Sequence, residues 1–468
     1  MGVIDFLHSI AKVLPEIKAP QQPPATKERI IWTGVALAVF FIMYNVTAFG
    51  VLQKESGGLE FLQTITASKI GSLLTAGIGP IVLASIFLQL FNGAGLIKLD
   101  LKNREDKQKF LEVQKILAIL LAFGEATIFV ISGRTILSTV TGLPPSAIEV
   151  IVILQIAMGS IIVLYLDEIV TKYGIGSGIS LFIAAGVALS IISGLFAILF
   201  GQGGVIASMT GGEAEALPNA LIALLPFIFT IIVFLIVVYA EGVKIEIPIA
   251  FERVRGMVPK LPLKYFYVSN IPVIFASALL LNVNLFGGMA LANVDLPWLG
   301  FVDSNNFIRD GILYFITPIY VSGGTIGHWN FIVDQVTPIY HIPEWVHAIT
   351  YVLFLSIISI LFGMFWVETA NMDAKSVAEQ LSSSGLQIPG FRRDPRMLEM
   401  ILNKHIFPLT VLGSFSVGLL AGLADLTGAL GTGTGILLSV GILYKMYEQL
   451  EQMQAFEMYP ALGKMIGK

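Results

Sequence analysis

In a chain as apolar as this one, catalysis or ion coupling would need ionisable side chains at membrane depth, where charge is costly and kept for a purpose. Few are on offer. Glu125 is the one carboxylate well inside an apolar run, while Asp167, Glu168 and Asp425 fall at the ends of such runs. The histidines, His8, His328, His341, His347 and His405, are scattered, with no pair at metal-ligand spacing on one helix. His341 and His347 share a proline-containing stretch, a pattern of surface residues rather than ligands. The GTGTG run at 431–435 lacks the following Lys-Ser/Thr and the preceding strand of a phosphate loop. It reads as a flexible start to a helix. With no cysteine in the chain, disulfides and thiolate metal sites are excluded. The expectation is a protein with no catalysis of its own and no cofactor.

The apolar residues are more specific. Ile78 and Val82 are spaced for one helix face, and Ile179 and Ile183 repeat the spacing just after the glycine-rich YGIGSG at 173–178. Ile274 follows Pro272, and Leu438 follows another glycine cluster. Branched apolar side chains around a narrow passage exclude water and ions by dewetting, yet yield to something pushed through. The same residues also suit ordinary packing or lipid contact, and position alone does not separate the two.

The elements that hold these residues are membrane spans. Of the 468 residues, 55% are hydrophobic and 13% charged, against about 25% charged in soluble domains. Mean hydropathy is +0.82. Apolar runs at 30–47, 73–91, 110–131, 148–166, 180–200, 220–240, 263–285, 346–367, 405–424 and 434–452 predict ten transmembrane helices. Residues 1–29 hold an amphipathic helix that suits the membrane surface, and no cleavable signal is expected. Before the second span, about 57–70 is too short to cross and carries Glu60, Gln63, Thr64, Thr66 and Lys69. It is either a re-entrant element against a pore or a stretch wandering along the outer surface.

Alternating the spans puts all but Lys54, Lys69, Lys115, Arg134 and Arg309 of the 28 basic residues on one side. That side is therefore cytoplasmic and holds both termini. The same bias makes Phe307–Val321, which Pro318 interrupts, a partly buried stretch of a long outer loop rather than a span. Ten spans divide into two halves of five, 30–200 and 220–452, joined by an external hinge at 201–219. An odd number per half implies inverted halves, with sites between them. The cytoplasmic segments 241–264 and 368–404 are long and basic, which suits anionic lipid or a large acidic partner as well as simple topology. Residues 453–468 form a cytoplasmic tail.

Several motifs make the chain recognisable. TITASKIG with GIGPIVLASIFLQL, YLDEIVTKYGIGSGISLFIAAGV, YVSNIPVIFASAL, FWVETANMDAKSVAEQL and GALGTGTGILL with YKMYEQL closely resemble the SecY family. These are the pore-forming subunits of the Sec protein translocase, and the match is to the archaeal or eukaryote-like type. The resemblance spans nearly the whole chain in order.

It implies an all-α polytopic membrane protein with two inverted five-helix halves around an hourglass pore. The pore ring would be Ile78, Val82, Ile179, Ile183, Ile274 and Leu438. A plug at 57–70, with Leu59, Phe61, Leu62, Thr64, Ile65 and Thr66, would close the outer funnel. Glu125 and Asn270 match polar positions of a lateral gate through which membrane segments leave sideways; many relatives carry an uncharged amide where Glu125 stands. Arg253, Arg255, Arg392 and Arg393 would dock the ribosome. Further implied partners are a SecE-type subunit, a small single-span beta subunit, the signal-recognition receptor, a translocating polypeptide with its signal sequence, and the bilayer of the cell membrane. An inverted-repeat secondary transporter is the alternative; it would need a polar, ion-coordinating midplane and matching broken helices. An intramembrane hydrolase would need a catalytic pair that the sequence does not offer.

Overall fold

A computed structural model describes residues 14–22, 24–52, 63–64, 66–93, 95–97, 99, 101, 103–133, 135–137, 142–201, 204–210, 216–248, 250–251, 260–293, 296–302, 308–319, 324–383, 386–387 and 395–458. The chain is mainly helical. The long helices are α1 (Thr26–Asn45), α2 (Gly79–Gly93), α3 (Arg104–Ile131), α4 (Pro145–Tyr173) and α5 (Gly178–Phe200). After a short α6 (Val205–Thr210) come α7 (Ala216–Gly242) and α8 (Ile271–Asn293). Two small helices follow, α9 (Ile312–Phe315) and α10 (Gly324–Asp334), then α11 (Glu344–Thr369), α12 (Ala374–Ser383), α13 (Pro395–Asp425) and α14 (Gly433–Met458).

Each of the ten apolar runs contains one of these helices. Among the described residues, seven are long and apolar enough to cross a membrane: α3, α4, α5, α7, α8, α11 and α13. The shorter apolar α2 has 15 residues. Charge explains two of the differences. Lys27, Glu28 and Arg29 open α1, and Lys445, Glu448 and Glu451 stud the later turns of α14.

Local chemistry sets the helix ends. Asn103 accepts from the Glu105 N–H at 3.1 Å, and Glu105 and Asp106 place negative charge on the first turn of α3. Pro144 and Pro145 open α4, and Gly174 ends it. Pro226 inside α7 has no N–H to give; one turn on, the Thr230 hydroxyl donates to the Pro226 carbonyl at 2.7 Å.

Two expected boundaries shift. The second span was expected from residue 73, but 71–78 are turns and α2 begins at Gly79. The left-handed backbone at Gly71 and Gly77 stops the helix from starting sooner. The seventh was expected from 263, but the strand Lys260–Lys264 pairs antiparallel with the strand Lys244–Pro248, so α8 waits until Ile271. The doubtful stretch 307–321 holds, in its described part, the short strand Ile308–Asp310 and the one-turn α9, short of any span.

One pairing was not foreseen. The strand Ala250–Phe251 pairs antiparallel with the strand Leu386–Gln387, with Ala250 opposite Gln387 and Phe251 opposite Leu386. It ties the two basic connections, 241–264 and 368–404, to one another.

The main core is a single apolar cluster with buried residues from α1, α2, α3, α4, α5, α7, α8, α11, α13 and α14. A second cluster packs Val51, Ile70 and Ala76 against Phe129, Val152, Ile156, Leu281 and Leu285. This places the non-helical stretch before α2 against α3, α4 and α8, where its polar backbone is covered. Its carbonyls and amides are paired: Ala48 N–H donates to Gly71 O at 2.9 Å and Leu73 N–H to Val46 O at 3.0 Å. The approach is close enough that a side chain at Gly159 of α4 would collide with the Leu73 carbonyl.

Candidate channel constriction and gate

The six branched apolar residues all belong to the main core or its margin. Ile78, Val82, Ile183, Ile274 and Leu438 are buried members of the main cluster, and Ile179 packs against it. None is exposed on the surface of the protein. Ile78 precedes α2 rather than lying in it, but Val82 N–H donates to Ile78 O at 3.1 Å, so the residue stacks below Val82 as a helical neighbour would. Ile274 N–H likewise donates to Asn270 O at 3.1 Å, setting Ile274 one turn above Asn270.

The broken segment meets this cluster through backbone. Ile78 N–H donates to Thr66 O at 2.9 Å, and only glycine at position 77, in the left-handed region, leaves room for that carbonyl. Thr64 and Thr66 are buried. A Cβ on Gly435 of α14 would stand 2.7 Å from the Thr64 methyl, and one on Gly186 of α5 would stand 3.3 Å from Ala67 Cα. Thr64 and Ala67 thus lie against the helices that carry Leu438 and Ile183 respectively. The other plug candidates, Leu59, Phe61, Leu62 and Ile65, lie outside the described residues.

Glu125 and Asn270 are both buried, at 3% and 2% exposure. No hydrogen bond joins them among the described residues. The Glu125 carboxylate faces the start of α2, where a Cβ on Gly79 would lie 2.8 Å from its Oε2 and 3.4 Å from the Thr66 methyl. Its Oε1 has no hydrogen-bond partner there. The Asn270 amide reaches across to α14, donating to Leu437 O at 3.1 Å and Leu438 O at 3.4 Å. Gly441 permits this, because a side chain there would collide with the amide. The same absent side chain would lie 2.7 Å from Glu241 Oε1. Sequence reasoning placed Glu241 in the cytoplasmic connection, whereas it is buried at the end of α7. The glycine in the ILLSVGILY run of α14 was the available signal.

The docking candidates Arg253, Arg255, Arg392 and Arg393 lie outside the described residues, although the paired strands Ala250–Phe251 and Leu386–Gln387 precede them by a few positions. His347 corrects the expectation of a surface residue. It is fully buried, with Nδ1 3.1 Å from Glu344 Oε2 and Nε2 2.7 Å from the Thr317 carbonyl, and Tyr314 donates to Glu344 Oε1 at 3.0 Å. His341 is exposed, as expected. His328 is also buried, which holds it below the usual imidazole value. Among the described residues no group of three or more His, Asp or Glu could hold a metal ion. Lys115 pairs with Glu168 at 2.5 Å and donates to Pro15 O at 2.8 Å, while the Tyr173 hydroxyl donates to Lys18 O at 2.8 Å. These bonds fasten residues 15–18 to α3 and α4.

Comparison with known proteins agrees with this geometry. A family model described as SecY matches residues 72–447. The protein translocase subunit SecY of Methanococcus vannielii is 43% identical over 459 residues, covering 98% of this chain and 99% of that protein. That of Methanocaldococcus jannaschii is 42% identical, with the same coverage. A solved structure described as a protein conducting channel superposes with a TM-score of 0.81 at 41% identity, covering 99% of this chain and all of the other. Sec61 in a canine ribosome–channel complex gives 0.79 at 41% identity, again over 99% of this chain and all of the other. The chain belongs to the SecY family.

Proposed function

We propose that this chain forms the pore of a Sec-type translocase in the cell membrane, passing unfolded secretory polypeptides across it and releasing membrane segments sideways. The observation that carries the reading is that Ile78, Val82, Ile183, Ile274 and Leu438 are all buried in one apolar cluster, with Ile179 packed on it and Thr64 and Ala67 close against α14 and α5. A wall of branched hydrocarbon is a barrier to ions without being a binding site for them. In a channel of this kind the energy for transport comes from a partner. The chain crosses the membrane ten times, in inverted halves 30–200 and 220–452 hinged at 201–219, with both termini cytoplasmic. Residues 57–70 are its plug; in a 40% identical relative, the plug domain is described as stabilising the closed state of the translocation channel and maintaining a membrane seal.

Glu125 and Asn270 line the lateral gate. Removing the Asn270 amide loses its bonds to two α14 carbonyls, at roughly 1 kcal/mol each. Asn270→Leu is therefore expected to shift the gate equilibrium by about thirtyfold and to change the tolerance of weak signal sequences. Translocation of a reporter with a graded series of signals measures it; an unchanged series makes Asn270 a packing residue. The basic connections bearing Arg253, Arg255, Arg392 and Arg393 dock the ribosome, and the 41% identical Sec61 was solved in a ribosome–channel complex. The remaining partners are a SecE-type subunit, a single-span beta subunit, the signal-recognition receptor and the signal-bearing polypeptide.

Site-specific photo-crosslinkers at Ile183 and Leu438, with lipid-exposed Ile236 of α7 as control, test the reading as a whole. A stalled nascent chain is expected to label the first two positions and leave Ile236 unlabelled. Equal labelling of all three, or none, overturns it.

A further inference from the structure

Two of the helices that carry constriction residues begin in the same unusual way. Ser177, which precedes α5, makes no side-chain cap of its own. The cap comes instead from Asp167 in the preceding helix, α4, whose Oδ1 accepts from Ile179 N–H at 2.8 Å. At the start of α14, Asp425 at the end of α13 plays the same part. Its Oδ1 accepts from Thr434 N–H at 2.8 Å, while its Oδ2 takes the Thr434 hydroxyl at 2.5 Å and the Tyr351 hydroxyl at 2.7 Å.

The parallel extends to the glycines. A Cβ on Gly178, the first residue of α5, would stand 2.8 Å from Asp167 Oδ1, and one on Gly433, the first residue of α14, would collide with Ala424 and Asp425. In both places the missing side chain lets the preceding helix bring its aspartate to the new helix's free amides. The constriction residues then follow at fixed offsets. Ile179 is itself the capped residue and Ile183 is four further on, as Leu438 is four beyond Thr434. Four residues is one turn, so each cap sets the height and rotation of the side chain stacked on it.

We propose that Asp167 and Asp425 are a matched pair of positioning carboxylates, one in each half, that hold Ile179, Ile183 and Leu438 in the constriction. The inference rests on the pore-ring reading above. It adds two polar residues that line no passage and whose loss opens one. Asp425 also joins α14 to α11 through Tyr351, so the second cap links the constriction to a neighbouring long helix.

The test is the resting ion conductance of the complete translocase complex in planar bilayers, with thermal unfolding of the same preparations. Asp167→Ala and Asp425→Ala are each expected to raise resting conductance about tenfold, the equivalent of ~1.4 kcal/mol and within the range measured for lost caps. Asn caps a helix about as well as Asp, so Asp167→Asn and Asp425→Asn are expected to stay within about twofold of the unmodified protein. Tyr351→Phe, which loosens Asp425 without removing it, is expected to give about a twofold rise. It stands in for Asp425→Ala if that variant does not assemble, and Asp167→Leu, which keeps the volume without the acceptor, does so for Asp167→Ala. Ile183→Gly and Leu438→Gly are run beside them. If these glycine variants leak and the cap variants do not, or if the caps lower only the unfolding temperature, the positioning role is overturned while the ring stands. If the glycine variants do not leak either, the ring itself fails and the inference goes with it.

Discussion

Replacing Ile78, Val82, Ile179 and Ile183 together with glycine is expected to turn the resting channel from closed to ion-conducting, and further deletion of residues 57–70 should raise the conductance again. Each branched side chain contributes about 1.5–3 kcal/mol of burial, and all four lie in or against one cluster. Removing them leaves a gap wide enough to wet, and a wetted passage no longer resists ions. Single-channel recording in planar bilayers is the measurement. The control is on the same helix: Ile192 and Phe196 of α5 are 52% and 61% exposed, and glycine there is expected to leave the resting current as it was. A quadruple variant that stays as tight as the parent would remove these residues from any role as a seal.

The second large effect is expected at the ribosome. Reversing Arg253, Arg255 and Arg392 to Glu should weaken binding by two to three orders of magnitude, roughly one for each arginine–phosphate attraction converted to repulsion. The slope of log affinity against log salt should fall by about one per residue. Screening at ~10 Å in 0.1 M salt makes the ionic-strength dependence as diagnostic as the affinity. The ladder of Ala250–Phe251 with Leu386–Gln387 ties the two connections together, so losses in one should not be fully rescued by the other. Co-sedimentation across a salt series decides the matter. Unchanged binding at every salt concentration would return both connections to a topological role only.

Much of this architecture was legible in the sequence, because the bilayer imposes a period and a length that hydropathy reports directly. Each of the ten apolar runs contains a helix, and the short Phe307–Val321 stretch holds no span in its described part. Boundaries failed where backbone geometry overrode composition. The apolar stretch 73–78 looks helical by side chain, but the left-handed Gly77 and the pairing of Leu73 with Val46 prevent it. Likewise 260–264 was drawn into a strand by its pairing with Lys244–Pro248, a partner that no local window contains. Buried polar residues were the hardest to see. His347, Glu241 and the paired capping aspartates acquire their setting from chain segments beyond their immediate neighbours in sequence. Composition flags such residues as polar and therefore superficial. The recurring glycine at the head of α5 and α14 was the visible trace of the caps, and its meaning depends on which carboxylate comes to meet it.

If residues 57–70 are the plug and Ile78 part of the ring, as proposed above, the bond from Ile78 N–H to Thr66 O fastens stopper to bottleneck through main chain alone. A polypeptide that pushes the stopper aside leaves a donor and an acceptor unmatched at membrane depth, at about 1–3 kcal/mol until something else pairs with them. Once the traveller has gone, return to the shut form therefore runs downhill, like a sprung valve that needs no trigger. Because the fastening uses a carbonyl rather than a side chain, stoppers of quite different composition can work on the same seat, provided position 77 remains glycine.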